Sequence, residues 1–112
     1  MDERTRQSIQ FGSDLKSALK KAEQRLGVGF DGLKALIDKL GGVKAARQLL
    51  SSKQHFKSGF CYLRDNDMLD HTVEAFVVKY ADAGIFDPDE IDKAQWRLDH
   101  AHEAEVGDES QA

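Results

Sequence analysis

The sequence predicts a single all-α domain of five or six short helices with an acidic C-terminal tail. Three observations predict it. Apolar residues recur at spacings of three and four along several segments, glycines and capping residues separate those segments, and no two stretches alternate as paired strands do. A chain of 112 residues suits one domain with one modest core.

Leu15, Ala18, Leu19, Ala22 and Leu26 repeat as one helical face, and Gly27 stops that helix. Its other side carries Lys16, Lys20, Lys21 and Arg25. A second helix starts near Asp31, read as its N-cap, turns Leu33, Leu36, Ile37 and Leu40 inward, and breaks at Gly41-Gly42. A third runs from Val43 to Leu50, with Val43, Ala46, Leu49 and Leu50 on one side and Lys44, Arg47 and Gln48 on the other. Ser51 to Ser58 has no period and reads as an exposed basic loop. Gly59 to Leu63 is rich in β-formers but has no partner segment, so it is read as a helical turn.

Asp70 is expected to cap the next helix, whose inward stripe is Val73, Phe76, Val77 and Tyr80. The last helix has the fullest start signal: Asp87-Pro88-Asp89-Glu90 sets an N-cap acid, a proline at the first helical position and a Glu at the third. Ile91, Ala94 and Leu98 then face inward. Residues 1–12 read as a flexible N-terminal segment, 13–102 as the helical domain and 103–112 as a disordered acidic tail. The core is expected from Leu15, Leu19, Leu36, Leu40, Val43, Leu49, Leu50, Phe60, Leu63, Leu69, Val73, Phe76, Val77, Phe86, Ile91 and Leu98.

Charge is unevenly spread. Met1 to Arg64 carry thirteen Lys or Arg against six Asp or Glu, about +7, while Asp65 to Ala112 carry three against fourteen, about −11. Such asymmetry points to a nucleic-acid surface, an acidic interaction segment or two halves that dock on each other. The start lacks a signal peptide's apolar stretch, and no apolar run approaches the ~20 residues of a membrane span, so the expected address is cytoplasmic with no membrane partner. The single Cys61 permits no internal disulfide, which fits a reducing compartment.

Four motifs occur in order: Gly41-Gly42-Val43-Lys44-Ala45-Ala46-Arg47-Gln48-Leu49-Leu50, then Gly59-Phe60 with Leu63, then Leu69-Asp70-His71-Thr72-Val73-Glu74-Ala75, then Ile85-Phe86 with Glu90-Ile91. Together they resemble a family of small bacterial helical domains of unassigned function, over roughly Leu33 to Leu98. The resemblance implies no reaction and no ligand. This chain departs from the family pattern after Phe60, with Tyr62 and Asp65-Asn66-Asp67 where relatives carry a Trp or another large residue and a Gly.

No arrangement in the sequence assembles a catalytic site, a metal cluster or a cofactor cradle. Gly27, Gly29 and Gly32 lack the Lys-Ser or Lys-Thr of a phosphate loop, and His100 and His102 diverge by about 200° on a helix, wrong for joint ligation. His71 reads as a surface residue beside Asp70, and His55 as a solvated residue of the basic loop. Trp96 falls off the inward stripe and reads as a flank of the core or as an exposed anchor for a partner.

The pair of helices around Gly41-Gly42 resembles the opening of a helix-turn-helix, but the segment that follows comes late and turns acidic. The expected function is a small, non-catalytic, cofactor-free protein-interaction or regulatory module, with homodimerisation through opposite-sign faces as one form of it. The alternatives are a nucleic-acid-binding regulator using the basic half, and an inhibitor of a nucleic-acid enzyme acting through the acidic half. The candidate surface is Lys16, Lys20, Lys21, Arg25, Lys44, Arg47, Lys53, Lys57 and Trp96.

Overall fold

In the computed structural model, which describes residues 2–51 and 60–101, the first helix begins twelve residues before Leu15. This α1, Glu3–Leu26, is capped by the Asp2 side chain, which accepts from Thr5 N at 2.7 Å. Its early turns have no apolar stripe, and Ile9 stands 57 % exposed. They are helical because the cap, Glu3 in the first turn and the Glu3 bonds to Arg6 and Gln7 favour helix locally. The expected segment 1–12 is therefore corrected from Glu3 onward: Phe11 and Gly12 are buried, and Phe11 is fully enclosed. Gly27, at φ 71°, closes α1 and donates to Glu23 O.

Helix α2, Asp31–Leu40, differs from expectation at its start. Asp31 is its first residue rather than its cap, and no side chain caps it from the Phe30 position. Glu23 of α1 instead accepts from Phe30 N at 2.6 Å and from Lys34 Nζ at 2.8 Å, so one carboxylate ties α1, the loop and α2 together. Gly41, at φ 88°, ends α2 and leads directly into α3, Gly42–Leu50. Here α3 crosses α1 backbone to backbone. A Cβ on Gly42 would lie 2.5 Å from Gly12 Cα, a distance no side chain tolerates. Ala45 and Ala46 continue the close contact, both fully buried.

The turn expected near Phe60 is helix α4, Cys61–Asp65, followed by a 3₁₀ turn at Leu69–His71. Thr72, not Asp70, caps α5, Val73–Lys79: its Oγ1 accepts from Ala75 N at 3.1 Å and donates to Leu69 O at 2.7 Å. Asp70 lies inside the 3₁₀ turn. A second 3₁₀ turn, Ala81–Ala83, and Gly84 lead to α6, Pro88–Asp99. The expected capping box is present, with Glu90 Oε1 accepting from Asp87 N at 2.8 Å. The domain is all-α, and no strand occurs among the described residues.

Helices α1, α2 and α3 pack on one another, and α5 packs chiefly on α6 and on α3. At the centre Phe11 meets the edges of two rings, Tyr80 at 5.3 Å and Phe86 at 5.0 Å. Leu15, Leu19, Leu49, Leu50, Val73, Phe76, Val77 and Phe86 join the main core as expected, and a smaller cluster of Ala22, Leu63 and Met68 lies beside it. Phe60 is also buried. Leu36, Leu40, Val43, Leu69, Ile91 and Leu98 are only half-buried. Among the described residues no helix is long and apolar enough to cross a membrane. The expected tail, residues 103–112, lies outside the described residues.

Two predictions follow from the crossing of α1 with its neighbours. Gly42→Ala drives a Cβ into Gly12 and costs about 1–3 kcal/mol by overpacking, seen as a lowered Tm, whereas Gly12→Ala, meeting α3 at an ordinary 3.4 Å, changes Tm far less. Tyr80, which bonds Asp14 of α1, has its phenol pushed up to about 12 by burial and by that carboxylate. In Tyr62→Phe protein the remaining phenol should titrate near that value by ultraviolet absorbance. Its contribution to stability is level below pH 10 and falls as pH rises towards 12, because the folded state keeps a proton that the unfolded state has lost.

Candidate functional site

The nine candidate surface residues separate in the structure. Lys16 pairs with Asp38 across α1 and α2. Arg47 is occupied: Nε donates to Glu90 Oε2 at 2.8 Å, Nη2 donates to Ile85 O at 3.0 Å, and the guanidinium lies 5.9 Å from the centre of the Phe86 ring. It fastens α3 to the start of α6. Lys20, Lys21, Arg25 and Lys44 are exposed without an ion pair among the described residues. They do not form one stripe, because Lys20 continues the Lys16 side of α1 while Lys21 and Arg25 lie about 100° and about 140° round from Lys20. Lys53 and Lys57 lie outside the described residues. Trp96 is 55 % exposed, so of its two readings the structure gives the exposed one; its ring stacks on His100 at 4.2 Å.

The two charge halves do dock on each other, through α3: the acidic α6 packs chiefly on α5 and α3 rather than beside the Lys16 to Arg25 stretch of α1. Two of the ionic contacts stay within the basic half, Lys16 with Asp38 and Lys34 with Glu23. Lys34 holds the Glu23 carboxyl below its ordinary range, helped by the Phe30 amide.

Sequence reasoning missed the most deeply buried ionic group. Arg97 of α6 and Glu74 of α5 are 7 % and 4 % exposed, and Arg97 Nη1 donates to Glu74 Oε2 at 2.9 Å. The same guanidinium donates to the Leu49 and Leu50 carbonyls at 3.2 and 3.0 Å. Those carbonyls end α3, where the helix dipole favours a cation. Burial pushes the Glu74 carboxyl upward while Arg97 pulls it back. A signal existed in the sequence: Arg97 follows Ala94 by three residues and Glu74 precedes Val77 by three, so each sits on the inward stripe of its helix.

Glu74 also lines a cavity of about 430 Å³. Leu19, Leu33, Leu36 and Leu49 wall one side, Phe60 and Leu63 another, and Thr72 to Glu74 a third, with Phe30, Asp31 and two glycines at the start of α2. The volume lies within the ~300–1,000 Å³ of small-ligand pockets. Its walls are mostly apolar, and its polar side chains are largely committed: the Thr72 hydroxyl to Leu69 O and Ala75 N, and Glu74 to Arg97. Among the described residues no group of three or more His, Cys, Asp or Glu is placed to hold a metal ion. His71 Nδ1 lies 3.0 Å from Asp70 Oδ1, outside the cavity lining.

In comparisons with protein-family models, curated proteins and solved structures the chain has no match. The family resemblance seen in its motifs therefore stands on those residues alone.

The buried pair predicts strong coupling. Glu74→Met or Arg97→Met alone strands a buried charge and should cost about 3–5 kcal/mol in urea unfolding. The double variant should cost clearly less than the two single effects combined, because neither charge is then left alone. Additive costs would show that the two groups act separately.

Proposed function

We propose that this chain is a small, non-catalytic binding module that docks another protein at the cavity between the start of α2 and the α4–α5 region. The observation that supports it best is the cavity itself, walled by apolar side chains from five helices and furnished with polar side chains already engaged in holding the fold. A Thr hydroxyl and a carboxylate tied in this way are suited to orienting an occupant rather than to attacking one. Apolar pockets of this kind receive the anchor side chains that dominate protein interfaces.

The nucleic-acid reading retains Lys20, Lys21, Arg25 and Lys44 as exposed cations, but Arg47 and Lys16 are engaged within the fold. It predicts binding to duplex DNA at ~50 mM salt that weakens steeply as salt rises.

Gly32 supplies the variant that tests the docking reading. It lines the cavity in the first turn of α2, and nothing lies within 4 Å of the Cβ it would carry. Gly32→Ala should therefore raise stability by about 0.5–1 kcal/mol, since alanine replaces glycine within a helix. Gly32→Leu should fold as well and obstruct the cavity. Peptides selected from a random displayed library on the wild-type chain should bind Gly32→Leu at least about tenfold more weakly, and bind Lys21→Glu unchanged. Peptides indifferent to Gly32→Leu, or salt-sensitive DNA binding in place of peptide binding, would overturn the reading.

A further inference from the structure

We infer that the exposed face of α6 around Trp96 is a further docking surface, and that it takes an arginine side chain of a partner protein, stacked on the indole and paired with Asp92 or Asp99. This surface goes beyond the cavity, whose lining does not include Trp96.

The platform is built at the end of α6. Trp96 and His100 are four residues apart, and their rings stack at 4.2 Å with 17° between the planes. His100 Nδ1 lies 2.8 Å from Trp96 O; a carbonyl only accepts, so that nitrogen donates, and the bond fixes the imidazole against the indole. The imidazole takes one face of the ring. Trp96 is nevertheless 55 % exposed, so its open surface is the opposite face and the ring edge. Asp92 precedes Trp96 by four residues and Asp99 follows it by three, which puts both carboxylates on one flank of the ring, each within about one helical turn. Both are exposed. Asp92 has no ion pair among the described residues, and Asp99 accepts from the neutral Gln95 amide at 2.8 Å. Asp89, two turns before Trp96, adds a third exposed carboxylate. The ammonium of Lys93 lies on the His100 flank, away from Asp92 and Asp99.

These surroundings select the occupant. A carboxylate or phosphate meets Asp92 and Asp99 as like charges at close range. A purely apolar side chain covers the ring but takes water from the two carboxylates and offers no counter-charge. A lysine ammonium answers the charge, yet it is a compact and strongly hydrated ion with no plane to lay on the indole. Guanidinium is planar and weakly hydrated; it lies flat on an aromatic ring and presents N–H groups at its edge to a carboxylate. Arginine therefore meets the ring and the acids together.

Trp96 is the single tryptophan of the chain, so tryptophan fluorescence reports this face alone. The probe is a blocked pentapeptide alternating arginine with glycine. Its lysine counterpart keeps the charge without the plane, and its citrulline counterpart keeps the plane without the charge. At ~50 mM salt the arginine peptide should change the Trp96 emission saturably, and the other two should bind at least about threefold more weakly. Trp96→Leu, with binding followed by amide shifts in ¹H–¹⁵N spectra, should weaken the arginine peptide about two- to fivefold, as for an exposed cation–π contact. Asp92→Asn combined with Asp99→Asn should weaken it about threefold or more, and both positions are exposed, so the fold is not at stake. Equal binding of the arginine and lysine peptides, or binding indifferent to Trp96→Leu, would mean attraction by charge alone and overturn the inference. So would emission unchanged by every peptide. A chain that self-associates in sedimentation and becomes monomeric on Trp96→Leu would make the occupant a second copy and overturn it as well. The cavity is judged separately, by the peptides selected for the Gly32→Leu comparison.

Discussion

The Arg97 guanidinium is the contact on which most of the domain depends. It reaches from α6 to the Glu74 carboxylate on α5 and to the last carbonyls of α3, so one side chain fixes three helices at one point. Removing such a group from water costs several kcal/mol, and attraction in the interior offsets this only where further hydrogen bonds are made. The two carbonyls provide them. They are also the groups a helix leaves without internal partners, so the arginine completes α3 as it neutralises Glu74. Arg97 thus brings the first turn of α5 and the end of α3 to one point of α6, and Glu74 of that turn lines the cavity.

A second constraint works at the opposite end of α3. Gly42 sits on Gly12 with no room for a side chain, and Phe11, one residue earlier, enters between Tyr80 and Phe86. Arg47 ties the middle of α3 to Glu90 and Ile85. Helix α3 is thus held by backbone contact at its start, an ion pair halfway along and Arg97 at its end. The charge asymmetry of the chain has little part in this. Arg97 and Glu74 both belong to the acidic half, Lys34 and Glu23 both to the basic half, and Arg47 with Glu90 and Arg64 with Asp65 are ion pairs that cross between them.

Much of the fold was legible because its signals are local. The α6 capping box, Gly27 and Gly41 depend on neighbours within a few residues, and the inward stripes of α1, α3 and α5 follow from spacing. The failures have a common cause. The early turns of α1 have caps and side-chain pairs but no apolar stripe, so periodicity could not reveal them. Asp70 and Thr72 are both good caps, and only the 3₁₀ turn decides between them. Nothing in the spacing marks Glu74 and Arg97 as a pair, since charge on an inward stripe contradicts the usual pattern until a partner of opposite sign is known. The cavity was illegible altogether: Leu19, Leu36, Leu49, Leu63 and Val73 come from five different helices.

Packed interiors rarely leave a space of this size, so its walls need something to hold them apart. Two charged clamps do so. On one side Glu23 accepts from the Phe30 amide and from Lys34, fixing the loop that carries Phe30 to the cavity edge. On the other, Arg97 holds Glu74, and Thr72 bonds backward to Leu69 and forward to Ala75, fixing the turn that forms the floor. Neither clamp relies on side chains filling the cavity. The polar groups that line the cavity are thus engaged in framing it: Glu74 with Arg97, and Thr72 with Leu69 and Ala75.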